Sequence, residues 1–256
     1  MRTILLQLKA SLLQLFPTKR FRLIIVVLVL TGAFISVSEL AVAKFFMQII
    51  LHEDELSRNE IILFVGAFFL FLGGTRAGHY FQRIYRINVF DRAFQASETK
   101  ILRRNENWRW SQAFELTSLL TNFMQMGVII LFSTILNWKF GLLNILVVAC
   151  VIQILGRIFA RQLKSQRGFV KARKRKEHVP SSTKVRTRIR SGENGILISG
   201  LAMLILFGAL IVLSFTGEIS TSNTVVLFFG LRMQNSGLSN ISRSLMRFAR
   251  ARTHSE

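Results

Sequence analysis

The stretch GILISGLAMLILFGALIVLSF, residues 195–215, runs without one charged side chain. As a helix it would be about 31 Å long at 1.5 Å per residue, which matches a hydrocarbon core of about 30 Å. A backbone inside a bilayer has no water to bond, so an apolar run of this length folds there as a helix. Residues 23–51, 61–81 (IILFVGAFFLFLGGTRAGHYF), 116–136 (LTSLLTNFMQMGVIILFSTIL) and 141–156 (GLLNILVVACVIQILG) read the same way. The first of these is longer than the hydrocarbon core requires and must tilt or protrude. Its small-residue triplet Ala41-Val42-Ala43 resembles a leader-peptide cleavage site, but a leader of that length would be unusual, so the run is read as a span. A sixth segment, 223–245, opens with NTVVLFFGL, is interrupted by Arg232, and continues as an amphipathic pattern to about Arg252.

Charge supports counting that sixth segment as a crossing. The chain is 51% hydrophobic yet carries 34 Lys/Arg against 13 Asp/Glu, a net charge of +21. Thirty-one of the 34 basic residues fall before residue 23, in 76–115, in 157–190 and after 231. These are alternate connections, and the positive-inside rule assigns them to the cytoplasm. Six spans with both termini cytoplasmic satisfy that alternation. Five would put the C-terminal arginines outside.

Residues 1–22 precede the first span. Ile4, Leu5, Leu8, Leu12, Leu15 and Phe16 fall on one helical face, a pattern for an interfacial helix ended by Pro17. Residues 157–194 are expected as a basic cytoplasmic loop, densest in KARKRKEHVPSSTKVRTRIR (171–190). Lys171, Arg173, Lys174, Arg175 and Lys176 are its candidate contacts to lipid headgroups or an acidic partner, at about 1 kcal/mol per basic residue near an anionic surface. The stretch has no aromatic residue to stack on a base, so nucleic acid is not expected as a partner. The one cysteine, Cys150, sits in an apolar run, the four histidines are scattered, and no Cys/His spacing fits a metal.

Intramembrane polar groups are the candidate functional residues, because burying them in lipid is costly. Glu39 and Lys44 lie in the first span. They are about 140° apart on a helix and do not share a face, and Lys44 is near enough to the outer end to snorkel. Asn122 and Gln125 in the third span, and Asn144 and Gln153 in the fourth, suit interhelical hydrogen bonds. In the sixth segment, Leu227, Leu231, Leu238, Ile241, Leu245 and Phe248 form one stripe, and Arg232, Asn235, Ser239, Ser242 and Arg243 form another. The polar stripe suits a pathway lining; an interfacial helix on the inner leaflet is the alternative.

A long first helix, short outer connections, larger inner ones and an amphipathic sixth helix resemble the transmembrane domain of an exporter-type ABC (ATP-binding cassette) transporter. The motif ELTSLLTNF (115–123) is similar to that family's inner-loop signature Glu-Leu-x-Ser-Arg-Leu-Thr-Asn-Asp. Leu119 replaces its Arg and Phe123 its Asp. GALIVLSFTGEISTSNTVVLFFGLR (208–232) resembles its fifth helix, tight outer turn and sixth helix, and residues 1–16 resemble its elbow helix.

The resemblance implies an all-α membrane subunit of six transmembrane helices that dimerises, as homo- or heterodimer, in a bacterial inner membrane. It implies a pathway lined by Glu39, Asn122, Gln125, Arg232, Asn235, Ser239 and Arg243. It also implies that Trp108, Trp110 and Phe114 stand where the family's first coupling helix docks on its ATPase, with an aromatic belt at headgroup level as the rival reading. The second inner loop looks too short for the family's helical excursion. No G-x-x-x-x-G-K-[ST] phosphate loop occurs. ATP is therefore expected only through a separate ATPase chain, with no cofactor or metal on this one and no catalytic constellation. The alternative is a transport-incompetent module that scaffolds or regulates another membrane complex.

Overall fold

The computed structural model describes residues 2–51, 57–95, 103–177 and 179–255. Among them the chain is all helix: α1 (Arg2–Leu15), α2 (Lys19–Leu51), α3 (Arg58–Gln95), α4 (Arg103–Leu136), α5 (Trp138–Lys174), α6 (Ser181–Phe215) and α7 (Thr221–Ser255). Five helices are long and apolar enough to cross a membrane: α2 through α6. The chain is thus an integral membrane protein with transmembrane helices.

The expected sixth span, 223–245, is not among those five. Arg232, Gln234, Asn235, Ser236, Asn240 and Arg243 dilute its apolar character. Yet α7 is as long as its neighbours and lies at the centre of the bundle. Its predicted leucine stripe is the reason: Leu227, Leu231, Leu238, Ile241, Leu245 and Phe248 are all essentially unexposed. They pack among α2, α4, α5 and α6.

α6 and α7 form an antiparallel hairpin. Thr224 Oγ1 donates to Ser214 Oγ (3.1 Å), the rings of Phe228 and Phe207 are 5.4 Å apart, and Ser242 Oγ donates to Gly192 O (2.9 Å). Gly195 permits this approach, since a Cβ there would collide with Ser242 Oγ and come within 2.7 Å of Leu155 Cδ2. The turn between the two helices opens with Gly217 at φ +73°, the left-handed residue that closes a helix C-terminus at least cost. Glu218 N–H then donates to Leu213 O, and Lys139 Nζ of α5 reaches Glu218 Oε1 at 2.8 Å.

The helix ends on the side of the α6–α7 turn fall close to the expected span ends. The ends on the opposite, basic side do not: α3, α4, α5 and α6 run 13–18 residues further. The expected basic loop 157–194 is therefore mostly helix, because α5 continues to Lys174 and α6 starts at Ser181. Lys and Arg are good helix formers, and their like charges repel little where they point into water. Pro180 does not break this arm; it occupies the N-cap of α6, where its missing N–H costs nothing. The tip is tight: Lys176 takes φ +60°, and Glu177 N–H donates to Ala172 O. No separate coupling helix stands between α5 and α6 among the described residues.

α1 is docked rather than loose. Ile4, Leu8, Leu15 and Phe16 are buried against the basic ends of the other helices, while Leu5, expected on the same face, is exposed with Leu6 and Leu13. Buried Ser11 fixes the register, its hydroxyl accepting from Arg252 Nη1 (2.8 Å) and Gln112 Nε2 (3.1 Å).

Candidate functional site

A polar cleft of about 180 Å³ opens between α2, α4 and α7. α2 contributes Ser36 and Glu39, α4 contributes Asn122, Gln125, Met126 and Ile129, and α7 contributes Met233, Gln234, Ser236, Gly237 and Asn240. The packing of α2 on α4 holds it in place: Gln125 Nε2 donates to Gly32 O (3.3 Å), and Gln82 Nε2 of α3 donates to Leu28 O (3.1 Å). Glu39 Oε1 lies 3.3 Å from His79 Nε2 on α3, a partner the sequence did not single out. Asn122 donates through Nδ2 to Ser118 O within its own helix (2.8 Å).

Of the seven predicted pathway residues, Glu39, Asn122 and Gln125 come together here. Arg232, Asn235, Ser239 and Arg243 do not line the cleft. The α7 residues that do are shifted by one position, a rotation of about 100° on a helix. Asn235 and Ser239 are half-buried beside the neighbouring helices, and Ser242, from the same stripe, is spent on Gly192. Arg232 and Arg243 lie on the exposed face that borders the cleft, in line with Ser236, Asn240, Arg247 and Arg250. That face is polar over its whole length below Phe229. By the α6–α7 register, Arg232 is level with the middle of the uncharged 195–215 run.

Two polar contacts brace α7 around the cleft. Asn144 of α5 and Gln234 exchange side-chain hydrogen bonds (2.7 and 3.1 Å), both fully buried. Glu115 pairs with Arg247 at 2.9 Å, tying the first residue of the 115–123 motif to α7. Within that motif, Leu119 is fully buried and Phe123 packs partly buried against the core, so the two positions where the exporter signature is charged are here apolar packing. Lys44 donates to Asn223 Oδ1 at 2.6 Å and links α2 to the first turn of α7.

The aromatic candidates sit on α4 and make ring contacts inside the chain. Trp110 meets Phe94 edge-on at 5.2 Å, Phe114 meets Phe90 at 5.1 Å, and Trp108 stacks on His254 at 4.5 Å. Among the five basic candidates, Lys171, Lys174, Arg175 and Lys176 are exposed at the end of α5 and its tip, while the side chain of Arg173 lies outside the described residues. Among the described residues no group of His, Cys, Asp or Glu could hold a metal ion.

The chain matches no protein-family model and no curated protein sequence.

Proposed function

We propose that the chain is the membrane-spanning subunit of an exporter-type ABC assembly, in which two such subunits enclose a translocation path and a partner chain hydrolyses ATP. The observation that carries this reading is the exposed polar face of α7. A face bearing Arg232, Ser236, Asn240 and Arg243 beside an uncharged apolar helix is costly against lipid tails and stable against water or a second polar surface. Because α7 returns along α6 for most of that helix, it crosses with it. The crossings then number six, both ends face the cytoplasm, and the charge alternation closes.

The docked α1, the tight outer turn and the long helical arms on the basic side support the exporter resemblance. The cleft supplies the central polar site that such a path needs. Polar groups set beside Met126, Ile129 and Met233 suit an amphipathic cargo such as a lipid or peptide.

A scaffolding or regulatory module is the second reading. It is favoured by the internal commitment of Trp108, Trp110 and Phe114 and by the α5–α6 tip without its own docking helix. Gentle solubilisation of tagged protein from its native membranes, followed by mass spectrometry, separates the two. Recovery of a stoichiometric ATP-binding subunit supports transport; recovery of partners that bind no ATP supports scaffolding and overturns the first reading.

A further inference from the structure

A second cavity, of about 160 Å³, lies at the basic end between α5, α6 and α7. Its wall is of two kinds. Phe169 and Val185 give an apolar surface, while Lys184, Arg188 and Arg250 give a cationic one with His254 beside it, and among the described residues no carboxylate lines it. Gln166 also lines it, a polar residue only 5% exposed.

The cationic wall is held in place from outside the cavity. The Arg250 guanidinium lies over the Trp108 ring at 5.2 Å, and the His254 ring stacks on Trp108 at 4.5 Å. Trp108 thus orders Arg250 and His254 before any ligand arrives, which lowers the entropy lost on binding. Burial, and after it the charge of Arg188, push the pKa of Arg250 below its ordinary value. Two guanidinium groups that disfavour each other's charge are relieved by a shared anion.

We propose that this cavity binds a phosphate ester carried on a short apolar body. Arg188, Arg250 and Lys184 hold the phosphate, Gln166 donates to its oxygens, and the body packs on Phe169 and Val185. Guanidinium forks match phosphate oxygens two at a time, which a single lysine cannot do. The site is independent of whether the chain transports anything. Gln166 and Phe169 lie 9 and 12 residues past Arg157, the first charge after the apolar run 141–156, which is about 14–18 Å along the axis. That is beyond the headgroup layer of roughly 5–8 Å per leaflet, so a soluble ester reaches the cavity more readily than a lipid headgroup does.

The test is calorimetric titration of the full chain in phosphatidylcholine nanodiscs with phenyl phosphate, phenol and inorganic phosphate. Saturable binding of phenyl phosphate is expected, at least tenfold tighter than either fragment, and at least tenfold weaker in Arg188→Gln and Arg250→Gln. Helical circular dichroism and a single gel-filtration peak establish that each variant is folded. Lys184→Gln, at a partly exposed position, is the variant to read if the arginine variants do not fold. A parallel set of discs containing phosphatidylserine distinguishes the source: loss of phenyl phosphate binding there assigns the phosphate site to a lipid headgroup. Equal affinity for phenol, or unchanged affinity in folded Arg188→Gln, overturns the proposal.

Discussion

α3 and α7 make opposite use of their sequences. α3 meets the membrane-span criterion easily, yet only 6% of its most apolar stretch is buried in the protein. It touches the bundle chiefly through α2, and Ile62, Leu63, Phe69 and Leu70 point away from every other helix. α7 fails the same criterion and is the helix around which the others pack. In water, apolarity marks the inside. In a bilayer the tails are as apolar as leucine, so apolarity marks the surface, and polar side chains gain by turning inward to one another or to a wet cleft. Hydropathy therefore found the least buried of the five apolar helices and missed the one at the centre of the bundle.

The contrast can be broken most sharply with a charge. Leu70→Arg places a guanidinium on the lipid-facing side of α3 and is expected to cost about 2.5–3.5 kcal/mol of membrane insertion. Ser236→Arg, on the exposed face of α7, is expected to change insertion little. Glycosylation-based insertion assays read both, and an equal loss would mean that α7 faces lipid. Packing inside the bundle comes next. Gly195→Leu is expected to lower stability by about 1–3 kcal/mol, because the new side chain must displace Ser242 and Leu155. Gly200→Leu, on the same helix with open space before it, is expected to be close to neutral in thermal unfolding in detergent.

The polar brace gives a smaller effect with a diagnostic reversal. Asn144→Leu is expected to cost about 0.6–2 kcal/mol by leaving Gln234 unpaired, and adding Gln234→Leu should restore most of it. A double variant as unstable as the single one would show that Gln234 has other buried obligations. The smallest effect is at the outer surface. Lys139 and Glu218 are both substantially exposed, so Lys139→Gln should cost only about 0.2–1 kcal/mol, and the difference should vanish in high salt.

Much of this architecture was legible in residue patterns. The apolar runs located α2 through α6, the leucine stripe identified the buried side of α7, and Pro17 marked the end of α1 near where it falls. Glu39, Asn122 and Gln125 were legible because a polar residue inside an apolar run must find a partner or a cavity. The lining face of α7 was not. Arg232, Asn235, Ser239 and Arg243 form as good a stripe as Met233, Ser236, Gly237 and Asn240, and the choice is made by α4 and α6 on either side, whose positions no local pattern encodes. The α5–α6 arm was misread as loop for a different reason. A run of lysines and arginines looks disordered when judged by net charge, although each residue favours helix and the outward spacing keeps the charges solvated. His79 could have been found as a lone histidine facing the depth of Glu39 across a predicted hairpin.

The central claim is that the polar face of α7 is wet at the depth where α6 is uncharged. It is tested most directly by single cysteines in a Cys150→Ser background, probed in native membranes with a charged thiol reagent that does not enter lipid. Cysteines at Ser236 and Asn240 are predicted to react, and a cysteine at Leu70 to stay inert. If the two α7 cysteines are as inert as the one on α3, the face is sealed in lipid or protein, and neither the cleft nor the transport reading stands.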